Sequence, residues 1–254
     1  MALKFYWRCE SATFAAQDYS AGDTTPTNSN QTYGTDGAKI GTNGLIGAVS
    51  VNGSSTFDPS AILANSADID TSVGAVGYWW KAETTFPGNG LVNGFRTYVT
   101  STTRKMNVQS VTGSKLKFIV GNPVPESAEA APATALSANL WYFIVARWDV
   151  PGDKIALEIY TDAGGSSLTL VDSAETTSGI SAVVNSTDMG AATWGFLQFN
   201  VRADAWAQRG FTDNVILCDT YSAPIQNNAF ITDYASYSEG SLPVILNQYR
   251  QRWM

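Results

Sequence analysis

Twenty-two Asp and Glu residues and no histidine set the chemistry open to this 254-residue chain. Without an imidazole there is no Ser-His-Asp or Cys-His catalysis, no histidine proton shuttle and no ordinary zinc site. Hydrolysis by two carboxylates needs no histidine, but a retaining pair must stand about 5–5.5 Å apart. Glu83, Glu158 and Glu175 are isolated along the sequence and offer no visible pair. Gly37, Gly41, Gly44 and Gly47 lie in a glycine-rich run with neither a P-loop Lys-Ser/Thr nor dinucleotide spacing, so they read as turns. Cys9 and Cys218 are too few for a disulfide scaffold and form no CxxC pair; two buried, reduced thiols are expected. No catalytic residue is assigned, and what remains is binding. An aromatic face gives a sugar ring flat apolar area to stack on, and Trp79 and Trp206 are the candidates. Core packing competes with that role at Trp79, whereas Trp206 sits in the polar stretch NVRADAWAQRG.

The formal charge of −7 argues against a nucleic-acid or membrane-surface partner, because phosphate binding needs clustered Lys and Arg. The basic pairs Arg104/Lys105 and Arg250/Arg252 are small and read as solvated edges. No run of roughly 18 apolar residues exists, so no membrane insertion is expected. MALKFYWRCE lacks the architecture of a signal peptide and reads instead as an immediate strand.

The elements that must carry any site are strands. Hydrophobic content of 44% against 15% charged supports a real core, and long Ala/Leu/Glu/Lys helical runs are missing. Leu3, Phe5, Trp7 and Cys9 alternate with polar or amphipathic neighbours. In 73–83, Tyr78 and Trp80 share one face, Trp79 and Lys81 the other. Gly94–Thr100 and Lys115–Val120 read as the next strands, with turn residues such as Thr112 and Gly113 between them, and 122–137 as a surface loop. Residues 21–43 read as a polar loop with little core. The clearest block is 141–160: Ile155, Leu157 and Ile159 alternate with polar positions, and Pro151, Gly152 and Asp153 supply the turn before them. Trp141, Ile155, Leu157 and Ile159 are expected to fill the sandwich. Leu168–Val171, Trp194–Val201 and 210–219 complete the set of strands.

Several motifs resemble the concanavalin A-like, laminin-G-like jelly-roll family. Tyr160-Thr161-Asp162 follows the central turn, 44–57 has a Gly-x-Ala-like strand before Asn52-Gly53, and Gly210, Asp213, Val215 and Leu217 match its closing strand. The resemblance implies an all-β, antiparallel two-sheet jelly-roll β-sandwich over residues 1–221. It also implies that the first and last strands are neighbours, so that Cys9 and Cys218 could approach each other. Many members hold calcium at the rim through hard oxygen donors. Asp68 and Asp70 have alternate spacing, and Asp149, Asp153 and Asp162 cluster around the central hairpin, with Asp153 and Asp162 the candidate ligands there; solvated turn acids are the competing reading. The hydrolases on this fold use alternating Glu and Asp on one strand and its lyases use a Gln-x-His strand, but this chain has no Glu-x-Asp and no histidine.

Residues 222–254 depart from the sandwich pattern and read as a C-terminal extension, docked on the sandwich or on a neighbouring subunit. Pro243 can open a short helix or arm with Leu246, Tyr249 and Trp253 on one face, the candidate assembly interface. The expected function is a non-enzymatic structural or adhesive protein on a larger assembly, with a bacteriophage virion or other exterior surface as its setting. The alternative is a lectin-like, polysaccharide-binding module, with calcium as the one candidate cofactor. Other subunits of an assembly, in a homo-oligomer, and a polysaccharide are the expected partners.

Overall fold

A computed structural model describes residues 3–10, 19–20, 31–47, 72–86, 92–101, 104–121, 127–162, 168–183, 197–202 and 210–222. Among them the chain forms two antiparallel sheets and a single short α-helix, α1 (Ile180–Val183). No helix among these residues is long and apolar enough to cross a membrane. Asp68, Asp70, Trp206, the Asn52-Gly53 turn, Leu246, Tyr249, Trp253 and the expected C-terminal helix lie outside the described residues.

The larger sheet contains β1 (Leu3–Trp7), β2 (Tyr19–Ser20), β3 (Gln31–Gly34), β4 (Gly44–Gly47), β5 (Val73–Ala82), β10 (Tyr142–Asp149), β11 (Lys154–Asp162), β12 (Leu168–Thr176) and β14 (Gly210–Cys218). Its main path runs β12-β11-β10-β5-β14-β1-β2, with β4 joining β14 to β3. The smaller sheet contains β6 (Val92–Ser101), β7 (Arg104–Val111), β8 (Lys115–Gly121), β9 (Ser127–Ala130) and β13 (Leu197–Arg202), in the order β13-β6-β7-β8-β9.

Period-two alternation sets the core. Val76, Tyr78, Trp80 and Ala82 of β5 enter the main cluster with Ile144, Ala146 and Trp148 of β10 and Ile155, Leu157 and Ile159 of β11. From the smaller sheet come Met106, Val108, Leu116, Phe118 and Val120. Gly74 permits one close approach, since a Cβ there would lie 2.4 Å from Cζ2 of Trp148. The turn at 149–154 is locked by its own residues. The Asp149 carboxylate accepts from Gly152 N at 2.7 Å, and Asp153 has φ 56°, a conformation that Asp tolerates better than most residues.

Four sequence readings change. Gly94–Thr100 and Lys115–Val120 are not consecutive, because β7 lies between them and pairs with both β6 and β8. The stretch 122–137 is not all loop: β9 contributes Ala128 and Ala130 to the core, and small residues with low strand propensity hid it. The polar loop 21–43 contains β3, and its later part packs Ile40 against the outer face of the larger sheet. Trp141 does not fill the sandwich either. It is half-buried on that outer face, beside Phe211 at 6.5 Å between ring centroids.

β1 and β14 are neighbours, as expected from the resemblance, but antiparallel register sets Leu3 opposite Cys218 and Trp7 opposite Val215. Cys9, beyond Trp7, therefore lies at the other end of the pair from Cys218. Both cysteines are free and buried, and burial pushes the Cys218 thiol up to about 12.

Candidate ligand-binding face

The outer face of the larger sheet carries an aromatic layer. Cross-strand register pairs Trp79 with Phe143, and their rings meet edge to face at 5.4 Å. Residues 35–43 lie over this layer. Lys39 Nζ stands 4.8 Å from the Trp79 ring and donates to the Asp162 carboxylate at 2.7 Å. Lys81 Nζ lies 4.5 Å from the Phe211 ring and 4.9 Å from the Trp141 ring.

Two carboxylates pin this covering segment through its backbone. Oδ2 of Asp213 accepts from Lys39 N and Ile40 N, both at 2.8 Å, and Oδ1 accepts from Asn214 N at 2.9 Å. Glu10 accepts from Thr42 N at 3.0 Å and Asn43 N at 2.9 Å. Asp213 is fully buried, and burial raises its carboxyl well above its ordinary value, outweighing the backbone N–H groups that lower it. It matters more than sequence reading assigned to it. The visible signal was the one charged residue of GFTDNVILC, a strand whose burial leaves a carboxylate in need of buried donors.

This geometry corrects two expectations. Trp79 is completely buried, under Lys39 and against Phe143, so it offers no stacking face to a sugar. Asp153 and Asp162 do not converge, because Asp153 lies just before β11 and Asp162 ends it, and the strand between its first and last residues spans roughly 27 Å. Each is already satisfied. Asp153 accepts from Gly179 N at 3.0 Å and Ser181 N at 2.8 Å, and these donors, Ser181 foremost, lower its pKa. Asp162 is held by Lys39. Neither arrangement fits a calcium ion, which needs several oxygen donors at one point. Among the described residues no three His, Cys, Asp or Glu side chains are grouped to hold a metal.

A second polar network occupies the same outer face. Arg147 is almost fully buried and grips Glu158 with Nε at 2.9 Å and Nη2 at 3.3 Å, while Nη1 donates to Tyr221 O at 2.8 Å. Tyr160 OH donates to the same Glu158 at 2.8 Å, and Tyr221 OH to Glu175 at 2.5 Å. These contacts are between parts of the chain itself. They bind the stretch after β14 to β10 and β12, and β10 to β11.

The outer face of the smaller sheet differs in kind. On β7, Asn107 and Gln109 alternate with the core residues Met106 and Val108. On β8, Lys115 and Lys117 flank the core residue Leu116. Register sets Asn107 opposite Ile119, Gln109 opposite Lys117 and Ile119 opposite Glu129, so these side chains share one face. The Asn107 carboxamide donates to Gln109 Oε1 at 3.0 Å, orienting it, and Lys117 pairs with Glu129 at 2.6 Å. Asn107 is recessed at 3% exposure, whereas Gln109 and Lys117 are half-buried and Glu129 is exposed. Carboxamides, an ammonium and a carboxylate on rigid strands are donors and acceptors suited to a hydroxyl-rich ligand. Sequence reading missed this set, although the alternation in MNVQ and KLKF carried it.

With both faces described, the fold can be compared. Its all-β sandwich is similar to that of several solved toxin binding domains. It superposes on the binding domain of Paraclostridial Mosquitocidal Protein 1 with a TM-score of 0.54 at 9% identity, covering 86% of this chain and 49% of that one. The binding domain of botulinum neurotoxin DC, solved in complex with rat synaptotagmin II, gives 0.53 at 8% identity, with 86% and 48% covered. A structure of botulinum neurotoxin type C, whose cell entry depends on interaction with two ganglioside molecules, gives 0.50 at 9%, again with 86% and 48% covered. The chain thus spans about half the length of each. At these identities the likeness concerns the all-β sandwich alone. The sequence matches no protein-family model and no curated protein.

Proposed function

We propose that the chain is a non-enzymatic carbohydrate-binding module of the concanavalin A-like type, displayed on a larger assembly. The observation that carries this reading is the polar outer face of the smaller sheet, where Asn107, Gln109, Lys117 and Glu129 face away from the core on three adjacent strands. The larger sheet is a poorer candidate, because its aromatic layer lies under residues 35–43 and its Arg147 network ties down Tyr221. Solved domains of the same build act as binding domains, one for synaptotagmin II and one in a toxin that depends on gangliosides. That precedent supports binding as the role and leaves the ligand to this chain's own residues. Catalysis finds no support in the engaged acids: Glu129 is paired with Lys117, Glu158 with Arg147 and Glu175 with Tyr221.

The test is equilibrium binding of the full chain to a panel of polysaccharides. Gln109→Ala is expected to weaken the bound glycan by about tenfold, the effect of about 1.4 kcal/mol. Trp79→Phe is expected to leave affinity unchanged. A loss of affinity in Trp79→Phe with none in Gln109→Ala would move the site to the other sheet, and turnover of any polysaccharide would overturn the non-enzymatic assignment.

Display on an assembly, with a virion as the proposed setting and sister subunits as partners, makes a separate prediction. The purified chain is expected as a discrete symmetric oligomer in mass measurements by light scattering. A monomer at all concentrations would contradict it.

A further inference from the structure

Charge is distributed unevenly between the two sheets. Six of the fifteen Lys and Arg residues, Arg96, Arg104, Lys105, Lys115, Lys117 and Arg202, lie in the five strands of the smaller sheet. Only one of the twenty-two acids, Glu129, does. Those strands therefore carry a formal +5 in a chain whose total is −7. The nine strands of the larger sheet hold four basic residues and six acidic ones, a formal −2. Lys115 and Lys117 both leave the sheet on the face opposite Leu116, and the backbone register sets Arg96 opposite Asn107 and Gln198 opposite Arg96. The carboxamides thus share their face of the sheet with the positions of Arg96, Lys115 and Lys117, while Arg104 falls in the alternate row of Met106 and Val108.

From this juxtaposition we infer that the smaller sheet takes an anionic glycan, one bearing carboxylate or sulfate groups. The inference rests on the reading of that face as the carbohydrate site and adds the ligand's charge. An acidic protein repels a polyanion at long range, and a local basic field on one sheet overcomes that repulsion and selects the docking face. Lys117 is partly neutralised by Glu129 at 2.6 Å, so Glu129 sets how much positive charge the face presents. The carboxamides hydrogen-bond hydroxyls whatever the ligand's charge, and the lysines supply the discrimination.

The test uses the full chain with four probes: heparin as a sulfated polysaccharide, polygalacturonate as a carboxylated one, dextran as a neutral one, and duplex DNA. At least one acidic polysaccharide is expected to bind more tightly than dextran, with affinity falling as salt rises. The double variant Lys115→Gln/Lys117→Gln is expected to reduce that affinity by about tenfold or more, and Glu129→Gln to increase it. Unchanged melting temperatures of these surface variants would show that the fold is intact. Binding of dextran alone, insensitive to salt and to the lysine variant, would overturn the anionic ligand and leave the carbohydrate reading standing. Failure of every polysaccharide would overturn both. Duplex DNA bound as tightly as the best polysaccharide would also overturn the inference, because charge alone would then account for binding.

Discussion

Asp213→Ala is expected to lower the stability of the fold by about 3–5 kcal/mol, measured as a loss in the free energy of chemical unfolding. The substitution removes one carboxylate and leaves the N–H groups of Lys39, Ile40 and Asn214 without their acceptor, all next to a fully buried position. It also frees residues 39–40 from the outer face, and with them the cover over Trp79. Tryptophan fluorescence is expected to shift towards that of a solvated indole before global unfolding. Asp213→Asn keeps one oxygen acceptor and turns an NH₂ group against a donor, so a smaller loss of about 1–3 kcal/mol is expected.

The same residue has a definite pH signature. Its folded pKa is raised, chiefly by burial, so the folded state holds the proton more tightly than the unfolded chain does. Its contribution is full below the ordinary value of 3.8 and is lost as pH rises through the raised folded value. Asp172, lowered chiefly by the Thr134 hydroxyl, and Asp153, lowered by backbone donors, work in the opposite direction and lose their contributions as pH falls. The difference in stability between wild type and Asp213→Asn isolates the first effect. That difference is expected to shrink as pH rises from about 4, and a constant difference would contradict the assignment.

The second large effect is expected at Arg147. Arg147→Ala removes the partner of Glu158 and the donor to Tyr221 O, leaving a carboxylate on a mostly covered surface. A buried pair broken on one side costs about 3–5 kcal/mol; with the Glu158 side chain partly reached by water, about 2–4 kcal/mol is expected. Tyr160 OH would still donate to Glu158 and moderates the loss. The double variant Arg147→Met/Glu158→Leu removes both charges and is expected to be less destabilised than Arg147→Ala. If the single and double variants lose stability in proportion to the atoms removed, packing rather than unpaired charge is the cause.

Strand alternation made the sandwich legible in the sequence. Tyr78 and Trp80 entered the core while Trp79 and Lys81 left it, and Ile155, Leu157 and Ile159 did the same on β11, because a half-buried strand must repeat every two residues. The hairpin turn was visible in Pro151, Gly152 and Asp153 for the same local reason. What alternation could not reveal was which outward face would be covered. Trp79 points outward by its pattern, yet residues 35–43 close over it through contacts to Asp213 about 170 positions away. β9 was obscured because Ala128 and Ala130 are apolar but small, and strand propensity gives them little weight. The hairpin acids seemed close because they are near in sequence, but a nine-residue extended strand carries Asp162 to its far end. The face of the smaller sheet was written in the alternation of β7 and β8. Its charge became apparent only when topology joined basic residues from four separate stretches, 92–101, 104–111, 115–121 and 197–202, into one sheet.

Equilibrium binding of the full chain to a polysaccharide panel, with Gln109→Ala beside it, tests the central claim most directly. The predicted result is saturable binding of at least one polysaccharide, without turnover, weakened about tenfold in the variant while its circular dichroism shows the fold retained. No binding across neutral and acidic polysaccharides, or binding indifferent to Gln109→Ala, would contradict it.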